Sequence, residues 1–317
     1  MKNLEKYVGQ VEAIKTEVKK VVFGKDEVID KVLMAIIGSG HVLIDDIPGV
    51  GKTTLANAFA RAMGLCQKRM QFTPDVLPSD IIGFSIYNKE TGEFQYHPGA
   101  IMCNLFLADE INRTSPKTQS ALLEVMEEGR VTVDGVTRMI PQPFIVIATQ
   151  NPAGSIGTQK LPESQLDRFM IRTSMGYPSL EAEVQVIQGK RFHLMETVKE
   201  VITKEELVEI RDAVKQVYLE EAVCIYIGQL AAQSRVQESV SLGVSPRGSV
   251  AIAGISKACA FMHGRDYVTP GDVQEVLQET MGHRLVLSAK AKVNQVTEQE
   301  VIEQIMQSVK VPQLKMR

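Results

Sequence analysis

The chain has 317 residues, 44% hydrophobic and 23% charged, which is enough for a sizeable core and about two domains. Its formal net charge of −3 gives no global basic excess, so bulk electrostatics do not mark it as a binder of nucleic acid or anionic membrane. Cys66, Cys103, Cys224 and Cys259 lie far apart with no C-x-x-C pair, which speaks against zinc and against a disulfide framework and reads as buried thiols in a reducing compartment.

Residues 1–20 begin charged and hold no apolar core of signal-peptide length. The apolar stretch Val32 to Ile44 is interrupted at Gly38, Ser39, Gly40 and His41, so a soluble, cytoplasmic chain is expected. The first strand candidate is Val42-Leu43-Ile44, followed by "DIPGVGKTT" from Asp46 to Thr54. Glycines at 49 and 51 let the backbone turn its N–H groups inward, and a helix starting near Lys52 points its positive dipole end at the same spot. Such a loop, Pro48, Gly49, Val50, Gly51, Lys52, Thr53 and Thr54, cradles phosphates; Lys52 adds a point charge and the Thr53 hydroxyl a ligand for Mg²⁺. Leu55, Ala58, Phe59, Ala62 and Met63 continue as a helical stripe, with Gly64 as its stop. The match to G-x-x-x-x-G-K-[ST] is imperfect, since Asp46 stands at the first glycine position. Alone it leaves open a plain glycine turn before a helix.

Residues Thr73 to Ala100 hold two β-like arms around Asn88 to Gly92, with Phe84, Tyr87, Phe94 and Tyr96 gathered in an aromatic-poor chain. Cross-strand aromatic pairing explains them, and a partner-contacting loop is the alternative. "NLFLADE" reads as a buried strand, mostly apolar over 104–107, that ends in Asp109-Glu110, whose side chains are expected to point to opposite sides. Asp109 is placed to hold the metal and Glu110 to polarise a water, against a reading of the two as caps of the next helix. In "RVTVDGVTRMI", Asp134-Gly135 between alternating apolar residues signals a two-residue hairpin over 130–140. The strand "FIVIATQNP", apolar over 144–147, ends in Gln150 and Asn151, where open α/β sheets place their ligands; Asn before Pro152 is also an ordinary turn former. A last β-rich run, 169–171, follows Arg168.

Short apolar runs separated by helical patterns over 1–176 predict an α/β core with a parallel sheet covered on both faces. Over 177–317 the segments 181–193, 204–216, 219–235, 246–263, 270–281 and 298–309 read as helices of a smaller, all-helical domain. Ser245-Pro246 and Thr269-Pro270 mark two of their starts.

Together these motifs resemble an AAA+ ATPase. "HVLIDDIPGVGKT", "LADEINRTSPKTQSALLEVMEEG", "ATQNPAG" and "LPESQLDRFM" resemble the MoxR family over nearly the whole chain. The resemblance implies a P-loop NTPase core at 1–176 and a helical lid at 177–317, with ATP and Mg²⁺ as cofactors. It implies that Asn151 is the sensor-1 residue, Arg168 an arginine finger and Arg247 a sensor-2 arginine, and that Val22 and Gly24 lie against adenine. The hairpin at 130–140 matches the presensor hairpin and 73–100 the family's helix insert. The physical alternative for Arg168 is a surface pair with Glu163 or Asp167; Arg247, in the first turn of a helix, opposes the dipole unless an anion lies nearby. Arg113 is a further basic residue near the site, with no role assigned.

The expected function is Mg²⁺-dependent ATP hydrolysis by a self-associating ring, a hexamer, that remodels or activates protein partners, von Willebrand factor A domain proteins by resemblance. A nucleic-acid-dependent motor is the first alternative, disfavoured because the two hairpins carry few cations: Lys89 in one, Arg130 and Arg138 in the other. A nucleotide-switched binding module without hydrolysis is the second, and Glu110 speaks against it.

Overall fold

The structure is a computed structural model that describes residues 3–152, 158–188 and 194–313. The expected helix end at 189–193, the Ala153-Gly154 end of "ATQNPAG" and the last residues of the tail lie outside the described residues.

Five parallel strands form the central sheet: β1 (Val42–Asp45), β2 (Gln67–Gln71), β5 (Leu105–Asp109), β8 (Ile145–Gln150) and β9 (Ile171–Thr173), in the order β2-β5-β8-β1-β9. The side chains alternate between the two faces with the period of two that a pleated strand imposes. Val42, Ile44, Leu105, Leu107, Ile145 and Ile147 point to one core and Leu43, Phe106, Ala108, Val146 and Ala148 to the other. This double burial is why the central strands read as continuous apolar runs. β2 has the sequence Gln-Lys-Arg-Met-Gln and was not legible as a strand, because it lies at the sheet edge and its side chains are half-buried or exposed.

The strand expected at 169–171 begins two residues later, at Ile171. The carbonyls of Phe169 and Met170 are turned away to accept hydrogen bonds from Arg284, which takes these residues out of the ladder. Both expected hairpins are present. β3 (Gly83–Asn88) pairs with β4 (Glu93–Pro98), and β6 (Arg130–Val133) with β7 (Val136–Met139). Asp134 and Gly135 both take left-handed φ, 52° and 75°, as a two-residue hairpin turn of matching twist requires.

After β9 the described chain is mainly helical, with helices Leu180–Ile187, Lys204–Lys215, Glu221–Val236, Pro246–Met262, Pro270–Met281 and Glu298–Ser308. It is not wholly so. A two-stranded ribbon, β10 (Val240–Leu242) with β11 (Val286–Leu287), and a short helix Ala289–Val293 complete this part. The Ser245 and Thr269 hydroxyls accept hydrogen bonds from the N–H groups of Gly248 and Asp272, as their sequence signals require.

One apolar cluster spans the N-terminal helices Leu4–Lys19 and Asp26–Ile37, one face of the sheet and the C-terminal helices: Ile14, Leu33, Ile44, Leu107, Ile210, Leu230, Ile255 and Ile305 all belong to it. The opposite sheet face packs on the helix Pro116–Glu128 and on Phe72, Ile81 and Ile101. No helix among the described residues is long and apolar enough to cross a membrane.

Candidate functional site

The carboxyl ends of the neighbouring strands β2 and β5 and the loop after β1 open on one cleft of about 350 Å³. Pro48, Gly49, Gly51, Lys52, Thr53, Arg69, Gln71, Asp109 and Glu110 line it. Ligands of open α/β sheets bind at this end of the strands. The loop after β1 turns through Gly49 at φ 87° and Gly51 at φ 96°, values that L side chains rarely adopt. Gly51 caps the helix Lys52–Ala62 without any side-chain acceptor, so its first N–H groups are left for an anion.

Lys52 is buried, and its Nζ donates to the Asp46 and Ile47 carbonyl oxygens of its own loop at 2.6 and 3.1 Å. Burial lowers its pKa, and the carboxylates of Asp46, Asp109, Glu110 and Asp45 offset that only in part. Asp46, the residue out of place in the phosphate-loop pattern, is a buried tether. Its Oδ2 accepts from the Gly176 N–H at 2.7 Å and from the Ser174 hydroxyl at 3.0 Å, and its Oδ1 from the Ile47 N–H at 2.8 Å. A carboxylate at this position ties the start of the loop to the segment after β9.

Asp109 ends β5, whereas Glu110, expected as the next strand residue, leaves the strand in a left-handed conformation, and both line the cleft. The Thr149 hydroxyl on β8 donates to Asp109 Oδ1 at 2.6 Å, and the Arg69 guanidinium on β2 holds Oδ2 at 2.7 Å. Arg69 and Thr149 were not legible in the sequence as site residues; each reaches the site through strand pairing. Glu110 takes a left-handed φ of 56°, and its Oε2 accepts from Arg113 Nη1 at 2.7 Å. Burial raises the Glu110 carboxyl, but hydrogen bonds from Arg113 and Asn151 outweigh it and leave the group below its ordinary value. Arg113 thus has a contact to account for it. Asn151 is buried, and its backbone is held by a reciprocal amide pair, Asn112 Nδ2 to Asn151 O at 3.0 Å and Asn151 N–H to Asn112 Oδ1 at 3.3 Å. Its own Oδ1 is buried with no hydrogen-bond partner. An orphan acceptor beside two carboxylates is unfavourable unless a donor such as water fills the gap.

A narrow crevice on the other side of the loop is lined by Val21, Val22, Phe23, Lys25, Val50, Gly51, Thr54, Met175 and Pro178. Of the two residues expected against adenine, Val22 is in this lining; Gly24, at φ 64°, is not, and shapes the adjoining turn.

Arg168 and Arg247 are not in the cleft. They meet each other at Glu127, near the end of the helix Pro116–Glu128: Arg168 Nη1 lies 2.7 Å from Glu127 Oε2, and Arg247 pairs with Oε1 of the same carboxylate. Neither Glu163 nor Asp167 is the partner of Arg168; those two pair with Lys160 and Arg284.

Residues 41–171 match the family described as "ATPase family associated with various cellular activities (AAA)", and residues 232–305 match the AAA lid domain. The chain is 38% identical over 307 residues to "Chaperone MoxR1" of Mycobacterium tuberculosis (strain ATCC 25618 / H37Rv), covering 94% of this chain and 81% of that protein. It belongs to the MoxR family of AAA+ ATPases. Two further similarities cover most of the chain. The YeaC protein of Bacillus subtilis (strain 168) is 48% identical over 296 residues, 93% of this chain and 92% of YeaC. A crystal structure of a candidate ATPase from Cytophaga hutchinsonii superposes with a TM-score of 0.91 at 36% identity, covering 98% of this chain and 97% of that one.

Within this MoxR-type site two residues make testable claims. Asp46→Gly, which restores the general phosphate-loop pattern, removes the acceptor for Gly176 and Ser174 and is expected to destabilise the fold by about 1–3 kcal/mol in chemical denaturation. Arg113→Ala removes a donor from Glu110 and leaves the burial effect, so the Glu110 pKa rises. The acid limb of a single-turnover pH profile is then expected to move to higher pH; an unmoved limb would show that Arg113 does not set the ionisation of Glu110.

Proposed function

We propose that the chain is an Mg²⁺-dependent ATPase that works as a ring, a hexamer, and couples hydrolysis to the remodelling or activation of protein partners. The observation that carries this reading is the convergence of Lys52, Asp109 and Glu110 on one cleft beside an uncapped helix N-terminus, with the orphan Oδ1 on Asn151, whose side chain also hydrogen-bonds Glu110. The donor set fits a metal-bound triphosphate. The buried ammonium of Lys52 has only neutral carbonyls as direct partners, and the open N–H groups of the loop favour an anion. Thr53 and Asp109 would hold Mg²⁺, an oxygen-preferring cation, and Val22 and Gly24 the adenine side. When bound, the cation supplies charge neutralisation on the phosphates.

In this reading the loop of Pro48, Gly49, Val50, Gly51 and Thr54 orients the phosphates through backbone N–H groups. Lys52 leaves its two carbonyls for phosphate oxygen. Arg69 holds Asp109 Oδ2, an oxygen that Asp109 would share with Mg²⁺. Glu110, ionised because Arg113 and Asn151 donate to it, accepts a proton from the attacking water, and Asn151 Oδ1 accepts a hydrogen bond from the same water. Arg168 and Arg247, side by side on Glu127, serve together at the site of an adjacent copy, with Arg168 as the finger. In this reading Arg247 keeps the sensor-2 role that the family resemblance implies, exercised across the seam between copies.

We assign residues 1–176 to the nucleotide-binding core and 177–317 to the lid, a division that the two family matches straddle. Only Cys103 and Cys259 are buried and Cys66 and Cys224 are exposed, against the expectation of buried thiols; that all four are free fits the proposed cytoplasmic location. Protein clients are favoured over nucleic acid because the hairpins expose Phe84, Ile86, Tyr87, Phe94 and Met139, while Arg138 is stacked on Tyr96 at 3.9 Å. Von Willebrand factor A domain proteins as clients rest on the family resemblance, and the name of the M. tuberculosis relative, a chaperone, agrees with remodelling.

Lys52→Ala is expected to abolish binding of ATP in a titration. Glu110→Gln is expected to bind ATP yet lose turnover by about 10²–10⁴-fold; normal phosphate release from the purified variant would refute its role as base. Arg168→Ala is expected to lose turnover by about 10³–10⁵-fold and to regain part of it when mixed with Lys52→Ala chains, since each variant then supplies what the other lacks.

A further inference from the structure

Arg284 is an almost fully buried arginine in the 3-10 turn Gly282–Arg284, far along the chain from the phosphate loop. Its guanidinium is spent on the segment that carries Arg168. Nη2 donates to the carbonyl oxygens of Phe169 at 2.7 Å and Asp167 at 3.2 Å, and Nη1 to that of Met170 at 3.2 Å and to that of Thr280. The backbone is therefore pinned on both sides of Arg168. Nε donates to Asp167 Oδ1 at 2.7 Å.

The other oxygen of the same carboxylate, Asp167 Oδ2, accepts from the Ser245 hydroxyl at 2.7 Å. Ser245 caps the helix Pro246–Met262, whose second residue is Arg247. Asp167 thus joins the two backbones that carry the two arginines. Arg168 itself donates through Nη1 to the Leu123 carbonyl at 2.7 Å and pairs with Glu127, while its Nε is buried without a partner. A flexible surface arginine would not need this support, because a planar fork in solvent finds its own geometry.

We propose that Arg284 and Asp167 are positioning residues for nucleotide hydrolysis: together with Ser245 they fix Arg168 and Arg247 at a set spacing, as one double-guanidinium unit presented to the triphosphate held by a second copy of this chain. This rests on the reading of Arg168 given under Proposed function. A long guanidinium chain is efficient at an anion only when its backbone is held, since a displacement of about 1 Å costs about 10²-fold in rate. The competing reading is a structural staple between core and lid, which would affect folding and nothing specific to hydrolysis.

The test uses Asp167→Asn, which keeps the shape and removes the charge, and Arg284→Lys, which keeps the charge and loses the fork. Each is measured for melting temperature, for binding of a fluorescent ATP analogue, and for turnover alone and mixed with Lys52→Ala chains. Expected are a lowered melting temperature with the folded state kept at the assay temperature, binding close to the parent, turnover lower by about 10–10²-fold, and partial recovery in the mixture, because the Lys52→Ala neighbour brings an intact arginine pair. Unchanged turnover in the folded variants overturns the proposal. So does lost turnover without recovery in a mixture where Arg168→Ala does recover. If Arg168→Ala fails to recover as well, the shared site itself is refuted, and the positioning role falls with it. Should Arg284→Lys not fold, Asp167→Asn decides the matter alone.

Discussion

The site depends on a positive charge placed where water cannot reach it freely. Lys52 is buried at the start of a helix, with two loop carbonyls as its direct partners. An ammonium in that position is poorly solvated, and dipolar partners compensate it only in part. The surrounding design follows from this. Carboxylates from two strands and a loop face the lysine, the glycines leave the loop's N–H groups open, and Asp46 fastens the loop's first residue to the segment after β9 so that the cradle keeps its shape.

Much of this was legible because strand, loop and helix impose different periods on the sequence. The apolar runs of β1, β5 and β8 stand out since both faces of those strands are buried, and the chemistry sits at their ends, where Asp109, Glu110 and Asn151 follow the last apolar residue. Residues that act across the fold were not legible. Arg69 is on a polar edge strand, and its approach to Asp109 comes from the β2-β5 register, in which Gln71 lies opposite Asp109. Thr149 looks like one more residue of a buried strand until its hydroxyl is seen on Asp109. Glu127 and Arg284 lie in helical segments far along the chain from Arg168, so no local pattern announces that they meet it.

The two hairpins show the complementary case. Their turns and pairings were readable from Asp134-Gly135 and from the alternation around Asn88 to Gly92, and Tyr87 indeed faces Phe94 across the strands with ring centroids 5.4 Å apart. The pairing accounts for how the hairpin holds together. It does not cover the rings, since Phe94 is 73% exposed. Edge contact between two aromatics leaves most of each face in water, which is why the same residues can be both structural and available to a partner.

The apolar cluster that runs from the N-terminal helices through the sheet into the C-terminal helices has a mechanical consequence. A hinge needs a plane of weakness, and a continuous packed interior has none there: opening one would expose Ile14, Ile210 and Ile255 to water at a cost of roughly 1.5–3 kcal/mol for each large side chain. Binding energy spent on this chain is therefore transmitted by a stiff lever, and in the proposed ring the compliant joints would be the seams between copies.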